Sequence, residues 1–411
     1  MNKRILFIVF LLFQYSTFAQ LSWIKKQDFP GFGKSGVAAF AINGKGYMGL
    51  GIDSLSDGRN EWFEYDAASN TWAQKTSLPD IGRWSCASFV INGKGYVVAG
   101  ATNSGLLNQT WEYDPILDNW TVKANFPGIV RQDAAGFSIS GKGYVGTGYG
   151  GGNAQDDFYE FDPLTNIWTA RAIFPGGERT GAAGFSIGTN GYIGMGTATN
   201  SVVNYNDLYQ YNPLTDTWSQ RASYPLPAID AATTYSSSDD AYVICGYFYQ
   251  YQNIEHNPMN LVHKYNASTD SWSLLGTFPG LPRGYAGGFA LTNDIYISCG
   301  GNNNYTINTS TQISDLWKLT NGLTLRIGSI STPDIEISPN PAAHTIQFGS
   351  EVNGKKLEQA LIYDVTGKLI KQISISDNST RVDVKELRAG IYFVELITAD
   401  GILLDGSFVK E

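Results

Sequence analysis

Histidine and cysteine are scarce in this chain, with three of each among 411 residues. No histidine stands at metal-ligand spacing from another, so no zinc pattern can be read. Charged residues are only 16% of the chain, the net charge is −9 and no basic run occurs. That balance argues against nucleic acid as a partner. After the N-terminal segment, no apolar stretch is long enough to span a bilayer, so no transmembrane segment is expected. Phosphate loops and serine triads are absent, and helical periodicity nearly so. What the chain does have is 13% aromatics and 46 glycines, the composition of a dense all-β protein with many tight turns.

Residues 1–19 read as a secretory signal. Lys3 and Arg4 form a charged start, Ile5 to Phe13 an apolar core, and Thr17-Phe18-Ala19 a small-residue cleavage site before Gln20. The mature protein is therefore expected outside the cytoplasm. No cysteine follows the cleavage site, which argues against a lipoprotein anchor.

Most of the remainder is one unit written repeatedly. Trp23, Trp72, Trp120, Trp168, Trp218 and Trp272 follow short polar turns at successive spacings of 49, 48, 48, 50 and 54 residues. Tyr47, Tyr96, Tyr144, Tyr192, Tyr242 and Tyr296 keep the same beat, mostly within GKGY or NGY strings. A fixed period of this length marks a repeated supersecondary unit. Each copy divides into four strand-like runs, in the central one AAGFSIS, KGYVGTG, DFYEFD and IWTAR. A four-stranded unit cannot bury both faces alone, whereas radial stacking covers each with its neighbour. Cys245 and Cys299 share one repeat position and read as small buried residues. A disulfide between neighbouring inner strands is the alternative.

These copies resemble kelch repeats over about residues 21–320, which implies a β-propeller. The family's double glycine is often single here, as in VAG at 98–100 and GMG at 194–196, and only CGG at 299–301 keeps it. Six GKGY-type strands and six Trp strands imply six blades. The first Trp strand (residues 21–26) precedes the first GKGY strand, and the last unit ends after its third strand (315–319). The N-terminal strand is therefore expected to complete blade six and close the ring, removing open sheet edges.

The propeller is expected over 20–320 and a linker over 321–333, with a small Ig-like β-sandwich over 334–411 whose short strands alternate with turns. That last domain is similar to the C-terminal sorting domain of type IX secretion cargo. The matching elements are Pro339-Asn340-Pro341, the run from Tyr363 and Asp364 to Gly367 and Lys368, Gly390-Ile391-Tyr392, and Phe408-Val409-Lys410. The resemblance implies that outer-membrane export and sorting machinery reads this domain, leaving the protein secreted or attached to the cell surface.

In a blade whose first strand is innermost, the start of strand one and the end of strand two share one face, the mouth. Six residues before the aligned Phe40, Phe89, Phe137, Phe185, Tyr235 and Phe289 stand Lys34, Arg83, Arg131, Arg179, Ile229 and Arg283. Five cations near one axis would favour an anionic ligand or acidic peptide. Alternatively, each guanidinium forks onto a carbonyl or carboxylate of a neighbouring blade. The mouth loops differ between blades, as binding loops on a rigid scaffold do. Tyr149, Tyr205, Tyr247, Tyr249, Tyr251 and Tyr305 lie on them. They suit stacking against sugars or peptides, or pack into the loops' own small cores.

Enzyme readings have less to rest on. Some kelch-type propellers are copper radical oxidases built on two histidines. Here His344 lies in the sorting domain and His263 occupies a strand position held elsewhere by Phe63, Trp111, Tyr159, Tyr209 and Trp317. That leaves His256, and a two-histidine site cannot be assembled. The run Asp53-Ser54-Leu55-Ser56-Asp57-Gly58 has the outline of a calcium loop, but Leu55 lacks the third-position oxygen and a polar turn is expected. No cofactor is implied. The reading is thus an exported binding module for glycan or protein, with a sialic-acid epimerase-like activity at the mouth as the alternative.

Overall fold

In the computed structural model, the residues described are 21–199, 205–226, 229–237, 239–250, 255–292, 294–304 and 309–320. In the C-terminal part they are 337–338, 342–348, 351–352, 355–364, 369–375, 381–398 and 403–410. The chain divides into two compact units, Met1–Gly322 and Leu323–Glu411.

The first unit is a six-bladed β-propeller. Each blade is a four-stranded antiparallel sheet, as in blade three with Ala135–Ile139, Lys142–Gly146, Phe158–Asp162 and Ile167–Ala170 in spatial order. Blade six is Gly287–Leu291, Asp294–Ser298, Leu316–Thr320 and, from the other end of the unit, Ser22–Lys26. Ser22 pairs with Thr320 and Lys26 with Leu316, so the N-terminal strand closes the ring. Among the described residues no helix is long and apolar enough to cross a membrane.

The repeat's marks each have a structural cause. Asn43-Gly44 and Asn92-Gly93 join strands one and two with both residues at positive φ, the two-residue turn whose twist matches a hairpin. The second glycine of GKGY makes room for the preceding blade. A Cβ on Gly95 would stand 2.0 Å from the Phe40 ring, and one on Gly191 2.2 Å from Phe137. The hydrophobic core is accordingly a set of layers between blades, Phe40 and Trp62 packing with Val97, Tyr113 and Trp120 for example. Repeat tryptophans staple those layers. The indole N–H of Trp168 donates to the Ala124 carbonyl at 3.0 Å, and Trp120, Trp218 and Trp272 repeat the bond. The turn before each tryptophan adds a second staple: Asn166, at φ 56°, accepts from the Ala124 amide at 2.9 Å.

The loss of the double glycine also has an explanation. Leu50, Ala99, Thr147, Met195, Cys245 and Cys299 stand where the first glycine would, at φ between 59° and 63°. That left-handed well tolerates an L-residue at a cost of about 1–2 kcal/mol. The second position reaches φ 98° at Gly148 and 107° at Gly246. There an added Cβ would lie 2.7 Å from the Gln132 carbonyl and 2.9 Å from that of Asp230. Only glycine fits the second position.

The C-terminal unit is also all-β. Lys355–Asp364 pairs with Gly390–Thr398 on one side and Leu369–Ser374 on the other, and Leu403–Lys410 pairs beyond Gly390–Thr398. Thr345–Gln347 pairs with Arg381–Asp383 as a separate two-stranded sheet. Ile346, Phe348, Ile362, Val384, Val394 and Phe408 are buried together.

Candidate functional site

The five aligned basic side chains do not open into the mouth. Arg83, Arg131, Arg179 and Arg283 are 0% exposed and Lys34 is 2% exposed. Arg131 shows the pattern. Its Nε donates to the Ile129 carbonyl at 3.0 Å, Nη1 to the Thr147 carbonyl at 2.8 Å, and both Nη atoms grip the Asp157 carboxylate. Its guanidinium also lies 4.7 Å from the Phe126 ring. Arg179 clamps Asp207, Arg283 clamps Asp315, and Lys34 reaches Glu61 at 3.0 Å. Arg83 meets Gln109 at 2.7 Å and also Asp80. Each cation binds a partner in its own blade or just ahead of it, so neither reading, a cationic mouth or a clamp onto a neighbouring blade, describes it. The inter-blade bond comes from its backbone: the Arg131 carbonyl accepts from Gly100 of blade two, and that of Lys34 from Gly300 of blade six. Blade five departs on both sides at once. Ile229, fully buried, replaces the cation, and Leu261 stands where the carboxylate would, its carbonyl accepting from Cys245 as that of Asp157 accepts from Thr147.

Two residues after each cation, the six blades meet round the axis. Gly36, Ser85, Asp133, Gly181, Ala231 and Tyr285 each donate their amide to the carbonyl of the preceding member, at 2.8–3.1 Å, closing a ring. All six have φ between 50° and 64°. They line an axial cavity of about 140 Å³. Asp133 is on this ring, held by Gln132 Nε2 at 2.8 Å. Asp230 is one residue before its ring member and 5% exposed, and its Oδ1 has no hydrogen-bond partner. Burial, with the Asp133 charge added, pushes the Asp230 carboxyl up to about 8. Burial likewise raises Asp133. The axis is therefore lined by acidic side chains and not by the aligned cations. The residues were in view as the third place of the RQD string at 131 and the last of PAID at 227, but only the ring brings them together.

The mouth tyrosines do not form one platform. Tyr149 is 36% exposed, whereas Tyr205 covers Arg179, whose guanidinium lies 4.0 Å from its ring. Tyr247 is buried and donates to the Gly301 carbonyl at 2.7 Å. Tyr249 belongs to the strand Tyr247–Gln250, which pairs with Glu255–Pro258; Tyr251 and Tyr305 fall outside the described residues. A different set does face solvent. Phe32, Ile81, Ile129 and Leu281, each two residues before a buried cation, are exposed on blades one, two, three and six, with Val130 beside Ile129. The arginine Nε bonds to the carbonyls of Ile129 and Leu281 pin those residues and leave their side chains outward. Sequence reasoning passed over this apolar rim, although the six-residue alignment that found the cations placed it two positions away.

Other candidates are structural. His263 is buried, bonded through Nδ1 to the Tyr224 hydroxyl at 2.8 Å, and burial lowers it to about 4. Cys86, Cys245 and Cys299 are free thiols, so the alternative of a Cys245–Cys299 disulfide is not realised. The Asp53 turn closes on itself, with Oδ1 accepting from Leu55 and Asp57 and Oδ2 from Arg59. Within the C-terminal unit, Gly390 pairs with Lys410, which is buried, and Asp364 with Tyr392, whose hydroxyl donates to the Arg388 carbonyl at 3.0 Å. Asn340, Pro341, Gly367 and Lys368 fall outside the described residues, as do 1–19 and the linker 321–333.

Residues 336–405 match the family model described as a secretion system C-terminal sorting domain. Among solved structures, one titled "Structure of YjhT" aligns with 71% of this chain and 96% of its own at TM-score 0.59 and 16% identity. That likeness is one of fold. No curated protein sequence matches the chain.

Proposed function

From the premise of an exported six-bladed β-propeller carried to the outer cell surface by a type IX sorting domain, we propose that the propeller is a binding module whose mouth docks a protein. The observation that carries this reading is the rim of Phe32, Ile81, Ile129, Val130 and Leu281, apolar side chains held in solvent on four blades. Apolar surface gathered on one face marks an interaction site more than isolated exposed residues do. A ring of this kind suits a polypeptide with apolar anchors better than a sugar, whose hydroxyls need donors and acceptors. The epimerase-like alternative has lost the feature that motivated it. The guanidiniums that would hold a sugar carboxylate already hold Asp157, Asp207 and Asp315. By the N-terminal signal pattern, we also infer export through the inner membrane before the sorting domain is read.

The test is binding of the mature chain to a glycan array and to a panel of surface and matrix proteins, with an Ile81→Asp/Leu281→Asp variant alongside. A protein bound by wild type and weakened tenfold or more in the variant supports the reading. A glycan bound equally by both proteins overturns it in favour of sugar recognition elsewhere on the mouth.

A further inference from the structure

Three adjacent blades carry an oxygen-bearing side chain on the axial ring or one residue before it. In blade three it is Asp133, whose carboxylate accepts from Gln132 and from Ser85. In blade four it is Thr180, whose buried Oγ1 has no hydrogen-bond partner. In blade five it is Asp230, nine-tenths buried with Oδ1 unpartnered. A buried orphan oxygen is costly, and more so when it is charged. Other buried polar atoms of the chain also lack a partner, Thr110 Oγ1 and Arg83 Nη1 among them; what sets these two oxygens apart is that they stand on neighbouring blades beside the ring.

Geometry brings the three together. Thr180, Asp230 and Gln132 occupy the same repeat position, each one residue before its ring member. The residue at this position leans over the preceding blade's ring member. A Cβ built on Gly181 would lie 3.2 Å from Asp230 Cβ and 3.7 Å from its Oδ2. The same step is seen where a Cβ on Gly36 would lie 3.3 Å from Trp84 Cβ. By that step Thr180 leans over Asp133. The absence of a side chain at Gly181 leaves the space beside the Asp230 carboxylate open, and the 140 Å³ cavity is lined by Asp133 and Gly181. That volume exceeds the roughly 30 Å³ share of one water, so an ion and several waters fit.

We propose that this end of the axial channel is a site for a hard divalent cation, Ca²⁺ or Mg²⁺, bound by Asp133, Asp230 and Thr180 with water completing its shell. The donor set is all oxygen, with no thiolate or imidazole, which selects these ions over zinc or copper. Two carboxylates and a hydroxyl form a sparse set. Affinity in the range of extracellular modules, Kd roughly 10⁻⁴–10⁻³ M, is expected. Bound there, the ion ties blades three, four and five where they converge.

The experiment is thermal unfolding and titration calorimetry on the mature full chain, first stripped with chelator and then given CaCl₂ or MgCl₂. Asp230→Asn and Thr180→Val, both close in shape to the native residues, are run alongside. In wild type, 10 mM of the preferred ion is expected to raise Tm by roughly 3–6 °C. Asp230→Asn should abolish that rise and Thr180→Val should reduce it, while both variants stay folded without ion. No shift and no heat in wild type would overturn the proposal. So would a shift of equal size in Asp230→Asn, which would place any bound ion elsewhere on this acidic chain.

Discussion

Removing one half of the Arg131–Asp157 pair should cost far more than replacing both. Asp157→Leu would leave a guanidinium that is 0% exposed with only the Ile129 and Thr147 carbonyls as partners. An uncompensated buried charge of this kind costs about 3–5 kcal/mol. Arg131→Ile is milder, because the Asp157 side chain is 29% exposed and can hydrate; about 1–3 kcal/mol is expected for its lost charged hydrogen bonds and for the cavity. If the sites were independent, the double variant would lose about 4–8 kcal/mol. Blade five argues otherwise, since Ile229 and Leu261 occupy the same two places in the same protein. Apolar replacement of a whole buried pair is often close to neutral, so Arg131→Ile/Asp157→Leu should fall within about 2 kcal/mol of wild type. Urea unfolding followed by tryptophan emission reads all four proteins, with a constant slope required for the comparison. A double variant as unstable as the sum of the singles would refute the reasoning. It would mean that Arg131 acts on something besides its own blade.

Gly148→Ala should destabilise by roughly 2 kcal/mol or more, because φ is 98° and the new Cβ meets the Gln132 carbonyl; a melting temperature equal to wild type would reject that account of the single glycine. Trp168→Ala should cost about 3–5 kcal/mol through lost inter-blade packing, and Trp168→Phe about 1 kcal/mol for the bond to Ala124; calorimetry of both orders them. The raised Asp230 carboxyl means that the folded state holds a proton the unfolded chain has released. Its stabilisation is full below pH 4 and is lost as pH rises to about 8. In chelated buffer, wild-type Tm should therefore fall over that range through this group, and Asp230→Asn should flatten the slope. His263 acts oppositely. Lowered to about 4 by burial, it contributes stability that is complete above pH 6.5 and lost as pH falls towards 4; His263→Tyr should blunt that acid-side loss in the same scans.

Much of the architecture was legible because the repeat states it six times. Period, blade count and closure by residues 21–26 need only the order of marks along the chain. A tryptophan every 48 to 54 residues cannot bury itself without a neighbouring copy. The sorting domain was legible for a similar reason, as ordered motifs at the end of the chain. Which way a repeated side chain points was not. A string of cations at one position reads equally as a cationic mouth or as five private clamps. The choice rests on carboxylates 26 to 32 residues downstream, which strand pairing alone brings within reach. Periodicity is local and survives in one dimension. Charge balance at a point in space is a sum over blades, and only the closed ring places Asp133, Thr180 and Asp230 side by side while burying the cations that outnumber them in the alignment.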